Sequence, residues 1–407
     1  MSVDLQGQGQ DQDQDPGQGG QVQDPGQGGQ VQDEAGAFRA EFSAWIEENL
    51  TPAVVAAAEG GGLEEADTLE ILREWNRTMA DARWAAPAWP VEHGGRAATI
   101  AEQLAWLEVM AAAGAPGAVN VIGVSNIAPA IMAVGTEEQK ARYLAPMLRG
   151  DEIWSQGMSE PDAGSDLASL RTSARIDGDT FVVNGQKTWN SLGRHADWCQ
   201  LYVRTDPVAP KHKGISTLLV DMKTPGIEVR PLRTMAGDLT FSELFFTDVV
   251  VPRANLLGNL NEGWKVAMTT LSYERAGVAR LHLSLLGRLN RLMDDAKGLP
   301  AMSDPVIRDR LMAIYARIAT MGWTTTRELQ AIGAGREPSA MMGSIAKLMW
   351  SLIEQALAEL AVDLLGLEAL GGRWGKNLAS SRQTTIAGGT TEINRNILAE
   401  HGLGLPR

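Results

Sequence analysis

Cysteine is nearly absent: Cys199 is the single one in 407 residues. No intrachain disulfide can form, and a reducing, cytoplasmic setting is the expectation. No window of eighteen uncharged apolar residues occurs, so no membrane span is implied. Histidine is scarce, and His93, His195, His212, His282 and His401 are too scattered to hold a metal. A Gly-x-Ser-x-Gly elbow and a cysteine–histidine pair in catalytic context are both missing. Positive charge is missing altogether from the first 34 residues, which carry seven acids and no Lys or Arg. That start has none of the basic, apolar or Arg-rich segments that targeting signals use. The net charge is −14, and beyond residue 34 it is still −7, from 36 basic and 43 acidic groups. Nucleic-acid phosphates need a positive surface, so this balance argues against that class of ligand.

What is present begins with a repeat. Residues 14–22 and 23–31 both read QDPGQGGQV, with glycines that do not fall strictly every third residue. This is not collagen-like, and its composition buries too little apolar surface to offset ordering entropy. Residues 1–34 are therefore expected to be a disordered tail. From 35 to 152 the pattern is helical: Phe38, Phe42, Trp45 and Ile46 recur at helical spacing, as do Leu69, Ile71, Leu72 and Trp75. Further helical blocks cover Ile100–Ala113 and Glu137–Leu148.

The character changes near Ile153. Thr180–Val183, an Asn184-Gly185 turn and the stretch to Trp189 read as a β-hairpin. Strands follow at Trp198–Arg204, Ile215–Asp221, Ile227–Arg230 and Glu243–Val251. After Pro252 the helical period returns. Leu271, Val278, Leu285, Leu289 and Leu292 mark an apolar stripe along Trp264–Ala296, and Ile307–Glu328 and Ser344–Leu370 are further long helices. The fold class is α+β, in the order N-terminal helical domain (35–152), small middle β domain (153–252) and C-terminal helical bundle (253–407). A Rossmann fold is excluded, because no strand leads into a Gly-x-Gly-x-x-Gly helix start.

Two segments carry the chemistry. Trp154-Ser-Gln-Gly-Met-Ser-Glu-Pro-Asp-Ala-Gly-Ser-Asp166 puts small residues, hydroxyls and a fixed proline where a backbone must come close to a polar ligand. Asn184-Gly-Gln-Lys-Thr-Trp-Asn-Ser191 delivers a tryptophan and a serine to one place. Taken alone, Ala163–Asp166 could be a plain turn and Trp189 plain core. Together the segments resemble the flavin-holding segments of the acyl-CoA dehydrogenase family, a likeness running from about Phe38 to Arg407. The resemblance implies a middle β domain of barrel-like form and a C-terminal four-helix bundle. It also implies FAD as cofactor, an acyl-CoA as substrate and electron-transferring flavoprotein as electron acceptor. Carried over residue by residue, Met158 and Ser159 would meet the flavin pyrimidine, and Gly164 and Ser165 the phosphates and thioester. Trp189 would lie against the isoalloxazine and Ser191 near flavin N5, with Gln156 beside them. Ala387-Gly-Gly-Thr-Thr-Glu-Ile-Asn-Arg395 resembles the family's C-terminal flavin loop. Thr390 would contact cofactor, and Glu392 takes a place usually held by glutamine.

A proton alpha to a thioester needs a general base in a dry pocket. Many family members carry that glutamate just before the Gly-Thr of the C-terminal loop, where this chain has Gly388. The second family location, on the first long helix of the bundle, holds Ser272-Tyr-Glu-Arg-Ala276. Glu274 stands between Leu271 and Val278 on the apolar face, and is the expected base. Arg275 would order the bound substrate. A surface Glu274–Arg275 pair is the plainer alternative.

Two departures bear on assembly. The family's Arg-x-x-Phe-Gly stretch is Met293-Asp-Asp-Ala-Lys-Gly-Leu-Pro300 here, and its Gln-x-Phe-Gly-Gly segment reads Asp363-Leu-Leu-Gly366. FAD sites in the family straddle subunits, so either a hetero-oligomer with a second subunit of the same fold or a homodimer or homotetramer with altered contacts is expected. An oxygen-using flavin monooxygenase or oxidase, and a silent partner subunit, are the alternative readings.

Overall fold

The computed structural model describes residues 28–59, 66–276, 281–336, 339 and 341–406, with their side chains apart from those of 28–34, 59, 66, 271–276 and 333. Six helices open the chain: α1 (Gly28–Asn49), α2 (Pro52–Glu59), α3 (Ala66–Asp81), α4 (Ile100–Ala113), α5 (Ala128–Val134) and α6 (Glu137–Arg149). Most of the expected tail, residues 1–27, lies outside the described residues. The boundary at 34 is corrected, since α1 already runs from Gly28. A helix anchored by Phe38, Phe42 and Ile46 extends outward at low cost once nucleated. Thr99 with Glu102 and Thr136 with Gln139 form capping boxes that start α4 and α6. Gly114 and Gly150 end those helices at φ 64° and 73°. Phe42, Trp75, Met79, Trp84 and Trp106 fill the core between these helices.

Eight strands make the middle domain: β1 (Trp154–Gly157), β2 (Ser173–Asp177), β3 (Thr180–Ser191), β4 (Trp198–Arg204), β5 (Ile215–Asp221), β6 (Ile227–Leu232), β7 (Phe241–Pro252) and β8 (Leu256–Leu257). They form one mixed sheet in the order β6-β7-β3-β2-β4-β5-β8. β1 lies parallel to Trp198–Leu201 of β4, and β2 touches the same flank of β4 only at Ser173↔Arg204. The sheet is therefore narrow at its middle, and β1 fills the flank that β2 leaves. Phe181, Val183, Leu201, Val203, Leu218, Val220, Leu244 and Val249 make its buried face. The side chain of Gln139 ties the sheet to the helices, donating to the carbonyls of Ala254 and Leu256 at 2.9 Å each.

Asn184-Gly185 is not a hairpin turn. Both residues lie inside β3, and the hairpin is β2–β3, closed between Asp177 and Thr180 around Gly178 at φ 58°. The dipeptide sits instead at a bulge, where Val183 faces Val249 but Gly185 faces Phe246. The Asn184 carboxamide exchanges two 2.9 Å hydrogen bonds with Asp248 on the bulged strand. Gly185 at φ 149° passes so close to Thr172 that an added Cβ would come within 2.7 Å of its backbone. A second irregularity has the opposite sense: Lys187 faces Leu244, while Asn190 faces Ser242, leaving Thr188 and Trp189 together opposite Glu243 alone.

The C-terminal bundle comprises α7 (Gly263–Ala276), α8 (Leu281–Asp295), α9 (Pro305–Gly333), α10 (Met342–Leu365), α11 (Arg373–Ser381) and α12 (Thr391–Ile397). The helix expected over Trp264–Ala296 is described as two, with residues 277–280 between them outside the described residues. Leu285, Leu289 and Leu292 bury the α8 stripe against Ile314 and Ile318 of α9 and Ile353, Leu357 and Leu360 of α10. Asp304 caps α9, with Pro305 at its first position. The fold is thus the helix, sheet, helix succession read from the sequence.

Gly185→Ala places a side chain against the Thr172 backbone at a φ that disfavours it. It should lower unfolding stability by about 2 kcal/mol, read as a shift of the chemical denaturation midpoint, whereas Gly178→Ala, with open space around it, should lose less.

Candidate active site

The site is built on the second of these bulges, the one on β3. The surplus residue there throws Trp189 off the sheet's alternation, at φ 61° and 61 % exposed. A bulky residue in the left-handed region is strained, and an exposed indole forgoes its burial energy. Phe241 supports the ring edge-on, with centroids 6.0 Å apart. Ser191, half-buried, follows two residues later.

Neighbours of Trp189 on β3 stitch the first segment down. Lys187 Nζ donates to the Met158 carbonyl at 3.0 Å, the Thr188 N–H to the Ser159 carbonyl at 2.9 Å, and Asn190 Nδ2 to the Gln156 carbonyl at 2.6 Å. These bonds occupy three carbonyls of the segment and bring Gln156, Met158 and Ser159 beside Trp189 and Ser191. The hydroxyls of Ser159, Ser165 and Ser191 make no hydrogen bond among the described residues, and the Asn190 carboxamide oxygen is buried without a partner. Gly164 and Ser165 are exposed on the loop beyond, and Gly164 has open space where a Cβ would stand. A flat apolar ring with polar edges fits this donor set. The indole offers the face, the free hydroxyls the edge contacts, and the bare glycine a close approach.

Sequence reasoning overlooked the pair that holds this together. Lys187 is wholly buried and sits 2.9 Å from Glu160, itself 9 % exposed. The Glu160 carboxylate also accepts the backbone N–H groups of Arg171 at 2.7 Å and Thr172 at 2.8 Å. Burial pushes the Lys187 ammonium down to about 8, against the pull of Glu160. Burial alone would raise the Glu160 carboxyl; the Lys187 charge and the Thr172 and Arg171 donors outweigh it and hold it below the usual carboxylate range. The one signal in the sequence was a lysine at an inward position of an alternating strand.

The Gln156 side chain joins a buried polar chain. Asn126 Nδ2 donates to Gln156 Oε1 at 3.4 Å, Gln156 Nε2 to Gln200 Oε1 at 3.3 Å, and Gln200 Nε2 to Thr270 Oγ1 at 3.4 Å. The Tyr202 hydroxyl completes it, 3.2 Å from Thr270. Thr390 and Glu392 lie elsewhere, at the start of α12 on the bundle. The Thr390 hydroxyl caps that helix by accepting the Ile393 N–H at 3.2 Å. Glu392 is exposed, and the backbone of its own first turn, then the Thr390 hydroxyl, keep its carboxyl below the ordinary range. Positions 274 and 275 belong to α7, one turn beyond Thr270, but the side chains of Glu274 and Arg275 lie outside the described residues. A cleft of about 650 Å³ lined by Arg171, Arg175 and Arg204 opens beside β2; none of the segment residues beside Trp189 lines it.

A sheet flanked by two helical domains, with an indole held over a free polar edge, defines a flavoenzyme of the acyl-CoA-oxidising kind. Three profiles of one family match the chain in order: the acyl-CoA dehydrogenase N-terminal domain over residues 32–151, the middle domain over 155–249 and the C-terminal domain over 261–403. The chain belongs to the acyl-CoA dehydrogenase family. It is 37% identical over 393 residues to the acyl-CoA dehydrogenase IpdE1 of Mycolicibacterium smegmatis, covering 92% of this chain and 98% of that one. Among solved structures, a steroid acyl-CoA dehydrogenase, Tcur3481-Tcur3483, superposes with a TM-score of 0.82 at 30% identity, covering 92% of this chain and 98% of that one. The ChsE4-ChsE5 complex from Mycobacterium tuberculosis gives 0.78 at 32% identity over the same shares. Among the described residues, no helix is long and apolar enough to cross a membrane.

Lys187→Met should destabilise the protein by about 3–5 kcal/mol, because it leaves a buried carboxylate unpaired. Adding Glu160→Gln should restore part of the loss. The pair's pH dependence has a fixed sign. Glu160 titrates lower folded than unfolded, so its contribution is complete above pH 4.5 and lost as pH falls through the native value. Lys187 also titrates lower folded, so its term rises with pH between about 8 and 10.5. Denaturation of wild type and double variant across pH reads both slopes.

Proposed function

We propose that this chain binds FAD and dehydrogenates an acyl-CoA thioester at its α,β bond, giving the trans-2-enoyl-CoA. The observation that carries the reading is Trp189, strained, exposed and fixed beside the Gln156–Ser159 segment. When bound, the flavin accepts the β hydrogen as a hydride. The protein's part is orientation, dryness and one proton transfer. The Trp189 face orients the ring, and the N–H groups and hydroxyl of Met158 and Ser159 hold its pyrimidine edge. Gly164 and Ser165 take the phosphates and thioester side, with Ser191, the Gln156 backbone, Thr390 and Glu392 as further cofactor contacts. Glu274 removes the α proton, and Arg275 orders the thioester beside it. Gly388, with no side chain and a φ of 66°, leaves Glu274 as the acid available to the reaction in family terms. Electrons then pass to electron-transferring flavoprotein, in the cytoplasm.

The reading extends to assembly: a second subunit of the same fold supplies the rest of the FAD site. Positions where the family contacts a neighbour's cofactor are engaged within this chain. Asp363 pairs with Arg310 at 2.8 Å, and Asp295 accepts the Trp374 indole N–H at 2.8 Å. Two solved relatives carry paired names, Tcur3481-Tcur3483 and ChsE4-ChsE5, which supports the same arrangement here.

Glu274→Gln should slow flavin reduction by acyl-CoA by roughly 10²–10⁴-fold with flavin retained, measured by single-turnover bleaching; activity equal to wild type sinks the assignment and favours a silent subunit. Flavin per protomer in the chain purified alone should fall well below one, and full occupancy would remove the need for a partner.

A further inference from the structure

The polar chain from Asn126 to Tyr202 has a closed end and an open one. Four of its members are buried: Asn126 at 8 % exposure, and Gln200, Tyr202 and Thr270 at 0 %. Thr270 and Tyr202 satisfy each other at the inner end. At the outer end Gln156 is half-buried. The Asn126 carboxamide spends one N–H on Gln156 and makes no other hydrogen bond among the described residues. Its oxygen and second N–H are unspent, as is the second N–H of Gln156.

The open end has a defined address. Gln156 is tied through its own carbonyl to Asn190, the residue next to Trp189. Thr270 stands one turn before position 274 on α7. Asn126 is in a π-helical turn, Gly123–Ile127, a local widening of a helix that is frequent at functional sites. The chain thus spans the floor between the proposed flavin wall and the proposed base helix, where an acyl group must lie. A plain hydrocarbon tail laid over it would cover the free carboxamide atoms without replacing their water, a loss that site-directed discrimination measures directly.

We infer that the acyl group this site takes carries an oxygen of its own, a ketone or hydroxyl, received by the Asn126 and Gln156 carboxamides. An acyl carbonyl accepts from the spare N–H groups, and a hydroxyl can also donate to Asn126 Oδ1. The inference deepens the dehydrogenase reading and rests on its placement of the acyl group. Asn126 and Gln156 are specificity-determining residues in it, and Gln200 and Thr270 are positioning residues that hold Gln156.

The test compares octanoyl-CoA with a set of oxo- and hydroxy-octanoyl-CoA esters substituted from C4 to C7, using the flavin-loaded protein with its partner subunit where one is needed. Flavin bleaching gives kcat/KM, and titration calorimetry gives Kd for the same esters. The best oxygenated ester should exceed octanoyl-CoA by at least about 100-fold in kcat/KM and be favoured in Kd as well. Asn126→Leu should cut that preference to below about 10-fold, chiefly by raising KM for the oxygenated ester. Gln156→Met, at a half-buried position, serves the same comparison should Asn126→Leu fold poorly. Equal use of octanoyl-CoA by wild type, or an undiminished preference in both variants, overturns the inference. Should no ester bleach the flavin, dehydrogenation falls, and the calorimetric preference still decides this point on its own.

Discussion

The placement of the whole site rests on one buried carboxylate. Glu160 receives Lys187 from β3 and the N–H groups of Arg171 and Thr172 from the approach to β2. The loop of Pro161–Asp166, exposed except at Ala163, is thereby held from Glu160 before it and from Arg171 and Thr172 beyond it, and Met158 is gripped by the same ammonium. Taking two charges out of water costs several kcal/mol each, and an apolar pair of equal volume can match or exceed such a bridge in stability. What an apolar pair cannot do is satisfy two backbone N–H groups and a carbonyl in one place. The pair is retained here for geometry: it fixes the height of the Gln156–Ser159 backbone relative to the strand that carries Trp189.

That strand shows how the indole is displaced without loosening the sheet. The first bulge puts the surplus on β7 at Asp248, and the second puts it on β3 at Thr188 and Trp189. The two offsets cancel, so Asn190↔Ser242 and Ser191↔Phe241 resume the register that Val183↔Val249 began. One strained residue leaves the ladder while pairing continues on both sides. A single uncompensated bulge would have turned Phe181 and Val183 or the Ser191 end to the wrong face. Strain of about 1–3 kcal/mol at Trp189 is thus confined to one position and carried by the ladder on either side.

Much of this fold was legible in the chain. The stripes of Phe38, Phe42 and Ile46 and of Leu285, Leu289 and Leu292, the β-branched runs, and the turn from helix to strand and back are local patterns that read one element at a time. Asn184-Gly185 misled for a related reason: the dipeptide signals a φ that glycine tolerates, and a bulge uses that φ as readily as a hairpin does. Only the partner strand decides, and Asp248 is far away in sequence. Glu160 and Lys187 were in plain view, one in each of the two segments read as flavin-holding, yet a lysine in a strand ordinarily faces water. Its burial follows from a pairing across the fold that no spacing rule encodes. The polar chain is less legible still, since Asn126, Gln156, Gln200 and Thr270 come from four separate elements. Each alone is an unremarked residue.

The strained strand and the polar row meet at Gln156, whose carbonyl accepts from Asn190 and whose side chain belongs to the row, and their chemistry is complementary. On one side is an apolar ring held out of the sheet at the expense of strain. On the other is a row of carboxamides and hydroxyls whose bonds, at 3.2–3.4 Å, are long. Long bonds in a dry interior give back only part of the desolvation cost of each group, so the row is a poor stabiliser of the empty protein. Leucine or phenylalanine at the same positions would pack this junction of β1, β4 and α7 at less cost. Polar groups kept where apolar ones would be more stable fit a role in binding, and the unspent capacity lies at Asn126 and Gln156, the latter holding the neighbour of Trp189 through its carbonyl. Stability surrendered in both walls points to the same conclusion. On the proposed reading, a flat aromatic ring lies at the indole and an oxygen-bearing group at the carboxamides.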